Sequence, residues 1–161
     1  MSMIGNFVQL TPVRLQMLID DPTSVEAFIY PSEGDADGCI DIGKAWHGVH
    51  FMLTGDPWGG TLPLANVVLG GVEIGNDVGY GPAHYITAEE VHAVAEALRA
   101  IPPEELAKRY DAAEMLRNQT YPEIWHDDDD AIDFLLSHYE SLRNYYLDAA
   151  SKRNAMLKYF N

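Results

Sequence analysis

Histidine, carboxylate and indole groups are the residues of this chain most able to do chemistry, and their spacing limits what that chemistry can be. His47 and His50 stand one helical turn apart, close enough to share a metal ion. Glu89 and His92 repeat the spacing as Glu-x-x-His, a motif of carboxylate-bridged metal sites in helix bundles. Those sites need two copies of the motif and two more inward carboxylates, and the chain has one copy. His92 follows the inward Val91 and is expected to face solvent. His126 precedes the run Asp127 to Asp130. Four adjacent carboxylates diverge, and they suit the positive end of a helix better than a single ion. Asp35-x-Asp37-Gly38 opens like a calcium loop but lacks the later ligands and the closing glutamate. The expectation is no metal and no cofactor.

Nucleophile patterns are missing too. None of Ser24, Ser32, Ser137, Ser141 and Ser151 lies in a Gly-x-Ser-x-Gly elbow. Cys39, the single cysteine, has no cationic neighbour in sequence and reads as a half-buried, inert thiol. Gly70-Gly71 and Gly75-x-x-x-Gly79-x-Gly81 open no helix with a phosphate-binding lysine, so neither a P-loop nor a dinucleotide fingerprint is present. No catalytic residue is assigned. What remains is a set of aromatic and polar residues in turns, Trp58, Tyr80, His84, Tyr121, Trp125 and His126, with Trp46 and His50 on a nearby helix. Turns are where a scaffold places binding residues, and indole and phenol rings offer rigid contact area with one polar end. Within this set, Trp46, His50, Tyr80, His84, Tyr121 and Trp125 are the candidate ligand- or partner-binding residues. His50 is read as an imidazole at the core edge, hydrogen-bonded beneath Trp46.

The secondary structure around these residues follows from sequence pattern. At 161 residues, with 47% hydrophobic and 22% charged, the chain fits one domain with a true core. Met3 to Leu10 reads as a strand, and Thr11-Pro12 caps a helix. Ser24 to Tyr30 is a second short helix, and Pro31 to Gly38 a surface loop. From Asp41 a helical pattern places Ile42, Trp46, Val49 and Leu53 on one face. Leu62 to Leu69 is a short helix or turn, and Val72 to Ile74 and Ala83 to Ile86 are strands. Thr87 and Glu90 have capping-box spacing ahead of a helix over Ala88 to Ala100. Short helical pieces follow over Glu104 to Tyr110 and Asp111 to Arg117. A long final helix turns Ile132, Leu135, Leu136, Tyr139, Leu142, Tyr146 and Leu147 inward, and Ala155 to Phe160 is a last strand. Strands at both ends and in the middle predict an α+β fold: one small sheet holding both terminal strands, packed with several helices.

Several segments, in order along the whole chain, resemble the YfbM-like family. They are Met3-Ile4-Gly5, Asp41-Ile42-x-Lys44-x-Trp46-x-x-x-His50-Phe51-x-Leu53-Thr54-Gly55, Val68-Leu69-Gly70-Gly71, Gly79-Tyr80-Gly81-Pro82-Ala83-x-Tyr85 and Tyr121-Pro122-x-x-Trp125, with the tyrosine-rich final helix. The resemblance implies a small bacterial α+β domain of unknown function and carries over no catalytic residue.

The net charge of -15, from 25 acidic against 10 basic residues, repels nucleic acid and anionic membrane and favours a basic partner. No signal peptide or membrane-length apolar run is visible, so the cytoplasm is the expected location. The expected role is a non-catalytic cytoplasmic binding or regulatory module that contacts another protein. The alternative is a small-molecule-binding protein or weak enzyme, using an aromatic and histidine-lined cleft near the Gly79 to His84 turn.

Overall fold

The two ends of the chain lie side by side. A computed structural model describes residues 2–34, 36, 38–126 and 129–161. In it strand β1 (Gly5–Leu10) pairs antiparallel with strand β5 (Ala155–Phe160), from Gly5 opposite Phe160 to Leu10 opposite Ala155. A two-residue strand β2 (Ile40–Asp41) extends one edge, and the hairpin β3 (Val72–Asp77) and β4 (Pro82–Ile86) extends the other. The order is β2-β1-β5-β4-β3, antiparallel throughout, so the chain's last strand is the centre of the sheet. The calcium-like fragment Asp35 to Gly38 and the Asp127-Asp128 part of the acidic run fall on or beside residues outside this description.

Side-chain alternation divides the core between the two sheet faces. On one face Val8, Leu10, Leu157 and Tyr159 pack with helices α1 (Pro12–Asp20) and α2 (Val25–Ile29). On the other face Phe7, Ile86, Met156 and Phe160 pack with the larger helical layer. That layer contains α3 (Trp46–Thr54), α4 (Ala88–Arg99), α5 (Pro103–Ala107), α6 (Ala112–Arg117) and α7 (Asp129–Ser151). This is an α+β fold with one sheet containing both terminal strands and one long C-terminal helix, as the sequence pattern predicts.

Local chemistry sets the boundaries. Thr11 Oγ1 accepts the Arg14 amide at 3.1 Å, and Pro12 occupies the first turn of α1. The Thr87–Glu90 capping box is complete: Thr87 Oγ1 accepts the Glu90 amide, and Glu90 Oε1 accepts the Thr87 amide. The other Glu90 oxygen accepts from Asn66 Nδ2 at 3.1 Å, tying the 3-10 turn Leu64–Asn66 to this helix. Within Leu62 to Leu69 the segment is this 3-10 turn flanked by further turns, with no longer helix.

The helix expected from Asp41 begins later, because Ile40 and Asp41 are drawn into the sheet opposite Phe7 and Asn6. It is also buried all round, from Trp46 to Leu53, and not on one face alone. The loops after Thr54 and around Tyr121 cover the side that would otherwise meet water. Gly48 lies in the middle of α3. A Cβ there would meet Leu135 Cδ2 at 2.7 Å and the Trp125 ring at 2.8 Å.

Gly48→Ala should therefore destabilise the protein by about 1–3 kcal/mol, although the same change in an exposed helix is favourable by about 1 kcal/mol. Trp46, only 1% exposed, should cost about 3–5 kcal/mol as Trp46→Ala. Urea melts of both variants check these signs and sizes.

Candidate functional site

Helix α3 and the two loops that cover it build a continuous series of ring contacts. Trp46 stacks with Tyr121 at 5.7 Å between centroids and with His47 at 4.9 Å. His47 in turn meets Trp58 at 4.3 Å, and Phe160 from the end of β5 meets Trp46 edge-on at 4.8 Å. Hydrogen bonds fix the series to the backbone. Trp46 Nε1–H donates to the Met3 carbonyl at 3.0 Å, and the Met3 amide donates to Tyr121 Oη at 3.0 Å.

His47 joins the two loops. Its Nδ1 accepts the Tyr121 amide at 2.8 Å, so the proton must sit on Nε2, which donates to the Pro57 carbonyl at 2.7 Å. A second proton on Nδ1 would point at an N–H group. The arrangement requires neutral imidazole, and burial lowers the pKa of His47. His50 binds the same loop one turn later, through Nε2–H to the Gly59 carbonyl at 2.9 Å. Burial pulls its pKa down to about 4, with Gly59 and Asp56 opposing and with His47 and Lys158 assisting. His50 Nδ1 is buried with no hydrogen-bond partner among the described residues. Trp46 thus stacks on His47, whereas His50 is held by Gly59.

Short-range hydrogen bonds define the loop itself. Gly55 closes α3 in a left-handed conformation (φ 73°), its amide donating to the Phe51 carbonyl. Thr54 Oγ1 accepts the Asp56 amide at 3.1 Å and donates to the His50 carbonyl at 2.9 Å. Asp56 Oδ1 accepts the amides of Gly59 at 2.7 Å and Trp58 at 2.8 Å, and these two bonds lower its pKa. At the tip Trp58 is 65% exposed.

The six candidate residues divide by depth. Trp46, His50 and Trp125 lie in the core, with Trp125 Nε1–H donating to the Thr120 carbonyl at 2.7 Å. They hold the surface in place and do not form it. Tyr121 is half-buried. Tyr80 is 37% exposed, and its amide donates to the Phe160 carbonyl, which links the Gly79 turn to the ring contacts at Trp46. Gly79 is required there: at φ 151° a Cβ would stand 2.7 Å from that same carbonyl oxygen. His84 is half-buried, with Nε2 3.8 Å from Glu73 on the neighbouring strand. Burial, then the charge of Lys158, lowers its pKa.

A hollow of about 210 Å³ reaches Asn161, which packs against Gly79. Its walls include Asn6, Tyr30, Cys39, Asp41 and Tyr159, but neither Tyr80 nor His84. His92 and His126 are both exposed. Among the described residues, no group of three or more histidine, cysteine, aspartate or glutamate side chains converges as a metal site. No helix among them is long and apolar enough to cross a membrane.

Two participants escape sequence reading. Trp58 is visible as an aromatic in a turn, but its tilted contact with His47 depends on how the loop after Thr54 folds back on the helix. Lys158 occupies the central strand, 1% exposed, with Nζ donating to the carbonyls of Asn66 at 2.5 Å and Gly70 at 2.6 Å. Burial brings its pKa down to about 7, against the pull of Glu90.

These groups set the sign of the pH response. His50 is neutral when folded, while the unfolded chain takes up a proton near the ordinary value of 6.5. Its contribution is complete above that value and is lost as pH falls toward about 4. Urea melts at stepped pH should show a loss on the order of 3 kcal/mol from this group, at ~1.4 kcal/mol per pH unit. His50→Gln should flatten the wild-type curve over this window, and equal slopes in the two proteins would contradict the assignment.

A family model described as a domain of unknown function, DUF1877, matches residues 1–159. Among solved structures, YfbM from Escherichia coli, a protein of unknown function, superposes with a TM-score of 0.73 at 21% identity, covering 98% of this chain and 99% of that one. At that identity the likeness shows the fold alone. No curated protein matches the chain. With the family model matched over almost its full length, the chain belongs to the DUF1877 family of domains of unknown function.

Proposed function

We propose that this protein is a non-catalytic binding or regulatory module that contacts another protein in the bacterial cytoplasm through the Trp58 end of the molecule. The observation that carries this reading is the contrast at Trp58. Its ring is largely exposed, while its backbone is fixed by Asp56 and one contact surface rests on His47. An exposed indole already held in place loses little freedom on binding, which is the property of an interface anchor. The half-buried Tyr121 and exposed Leu62 and Ile124 offer further apolar surface on the flanking loops. The acidity of the chain favours a basic partner and would raise the rate of encounter with it.

A second reading, small-molecule binding, draws on the hollow beside Asn161. Isolation of the tagged protein from its native host, alongside a thermal-shift ligand screen, separates the two. The interface reading expects a stoichiometric protein that is retained with Val13→Ala and reduced about tenfold or more with Trp58→Ala. Val13 is the control because it is 73% exposed on α1, which packs on the opposite sheet face. Equal recovery with both variants, or a ligand-induced shift with no stoichiometric protein, would overturn the interface reading.

A further inference from the structure

The turn that carries Trp58 presents an anion and an aromatic ring together. Asp56 is exposed, and its Oδ1 is occupied by two backbone amides. No lysine or arginine among the described residues lies within ion-pair distance of it. The one imidazole whose field reaches it, His50, is in the neutral form. The carboxylate therefore keeps its charge with no countercharge from a lysine or arginine among the described residues.

Gly59 adds a steric observation. Its φ is not in the left-handed region, so backbone conformation does not call for glycine. A Cβ at this position would lie 3.5–3.6 Å from Asp56 Oδ1, Cγ and Oδ2. A side chain there would begin in van der Waals contact with the carboxylate, and glycine leaves that side of it uncovered. Two residues from Asp56 stands the Trp58 ring, packed on His47 and otherwise facing solvent.

We infer that the Asp56–Gly59 turn is a receptor for a cationic side chain, arginine or lysine, presented by a basic protein partner. This rests on the interface reading above and specifies its chemistry. A guanidinium or ammonium group gains from the π-face of an indole and from an adjacent carboxylate at the same time. Arginine gains most, since its planar group can lie along the ring while its N–H groups meet the carboxylate. The field of a chain carrying -15 charges brings such a partner toward the surface, and the turn gives it a specific place to rest.

The test follows the three indole N–H signals of the ¹⁵N-labelled protein during titration with a blocked tetra-arginine peptide. A matched tetra-glutamine peptide serves as the uncharged probe. The Trp58 signal should move and saturate with the arginine peptide and stay still with the glutamine peptide. Asp56→Asn keeps the Oδ1 acceptor for the turn and should weaken binding about fivefold or more. Trp58→Leu should abolish binding, read in that variant from the backbone amide signals of Asp56 and Gly59 in the same spectra. Glu26→Gln removes one charge from α2, on the other sheet face, and should change affinity less than about twofold. Equal losses in Asp56→Asn and Glu26→Gln would overturn the proposal by showing a general field effect. An unmoved Trp58 signal would overturn it as well. If Trp58→Ala releases a native partner while the arginine peptide leaves Trp58 unmoved, the interface reading stands and the cationic receptor falls. If the peptide binds as described and no native partner is found, the receptor stands and the interface reading falls.

Discussion

A single neutral imidazole ties together the parts of this molecule that meet solvent at one end. His47 accepts the Tyr121 amide on one nitrogen and donates to the Pro57 carbonyl with the other. Its two partners belong to loops far apart in sequence, which this one ring joins. One loop carries Trp58, and the other carries Tyr121 and leads to Trp125. With both ring nitrogens committed to backbone groups, His47 is unsuited to hold a metal ion or shuttle a proton, and its ring supports Trp58 from beneath. The chemistry first suggested by the His47–His50 spacing gives way to a structural use of both rings, since His50 grips the same loop at Gly59.

The sheet makes that arrangement possible. Its central strand is the last in the chain, and Phe160 at its end contributes an edge to Trp46. Lys158, two residues earlier on the same face, reaches the carbonyls of Asn66 and Gly70 and fastens the segment between α3 and β3 over the core. Tyr146 from the long helix reaches the same segment through the Val67 carbonyl at 2.6 Å. Buried polar side chains thus satisfy the irregular backbone that crosses the helical layer, which the sheet and helices alone could not do.

These features explain what was legible in advance. Capping and periodicity are local, so the Thr87–Glu90 box, the Leu135–Tyr139–Leu142–Tyr146 stripe and both terminal strands could be read directly. The burial of Trp46 followed from its size and its face. His47 could not be assigned, because its partners lie 10 and 74 residues away and are backbone atoms, which leave no trace in residue type. Lys158 was hidden by the rule that a lysine in a strand faces water. The full burial of α3 was missed because its cover comes from loops, whose composition gave no sign of where they lie.

The link between the two loops depends on the protonation state of His47. Long-range ¹H–¹⁵N correlation of the histidine rings at about pH 6, just below the ordinary histidine value, reads that state directly. The prediction is a neutral ring protonated on Nε2, with Nδ1 showing the shift of a hydrogen-bonded acceptor. An imidazolium, or a neutral ring protonated on Nδ1, would contradict it and would leave the Trp58 loop without the support described.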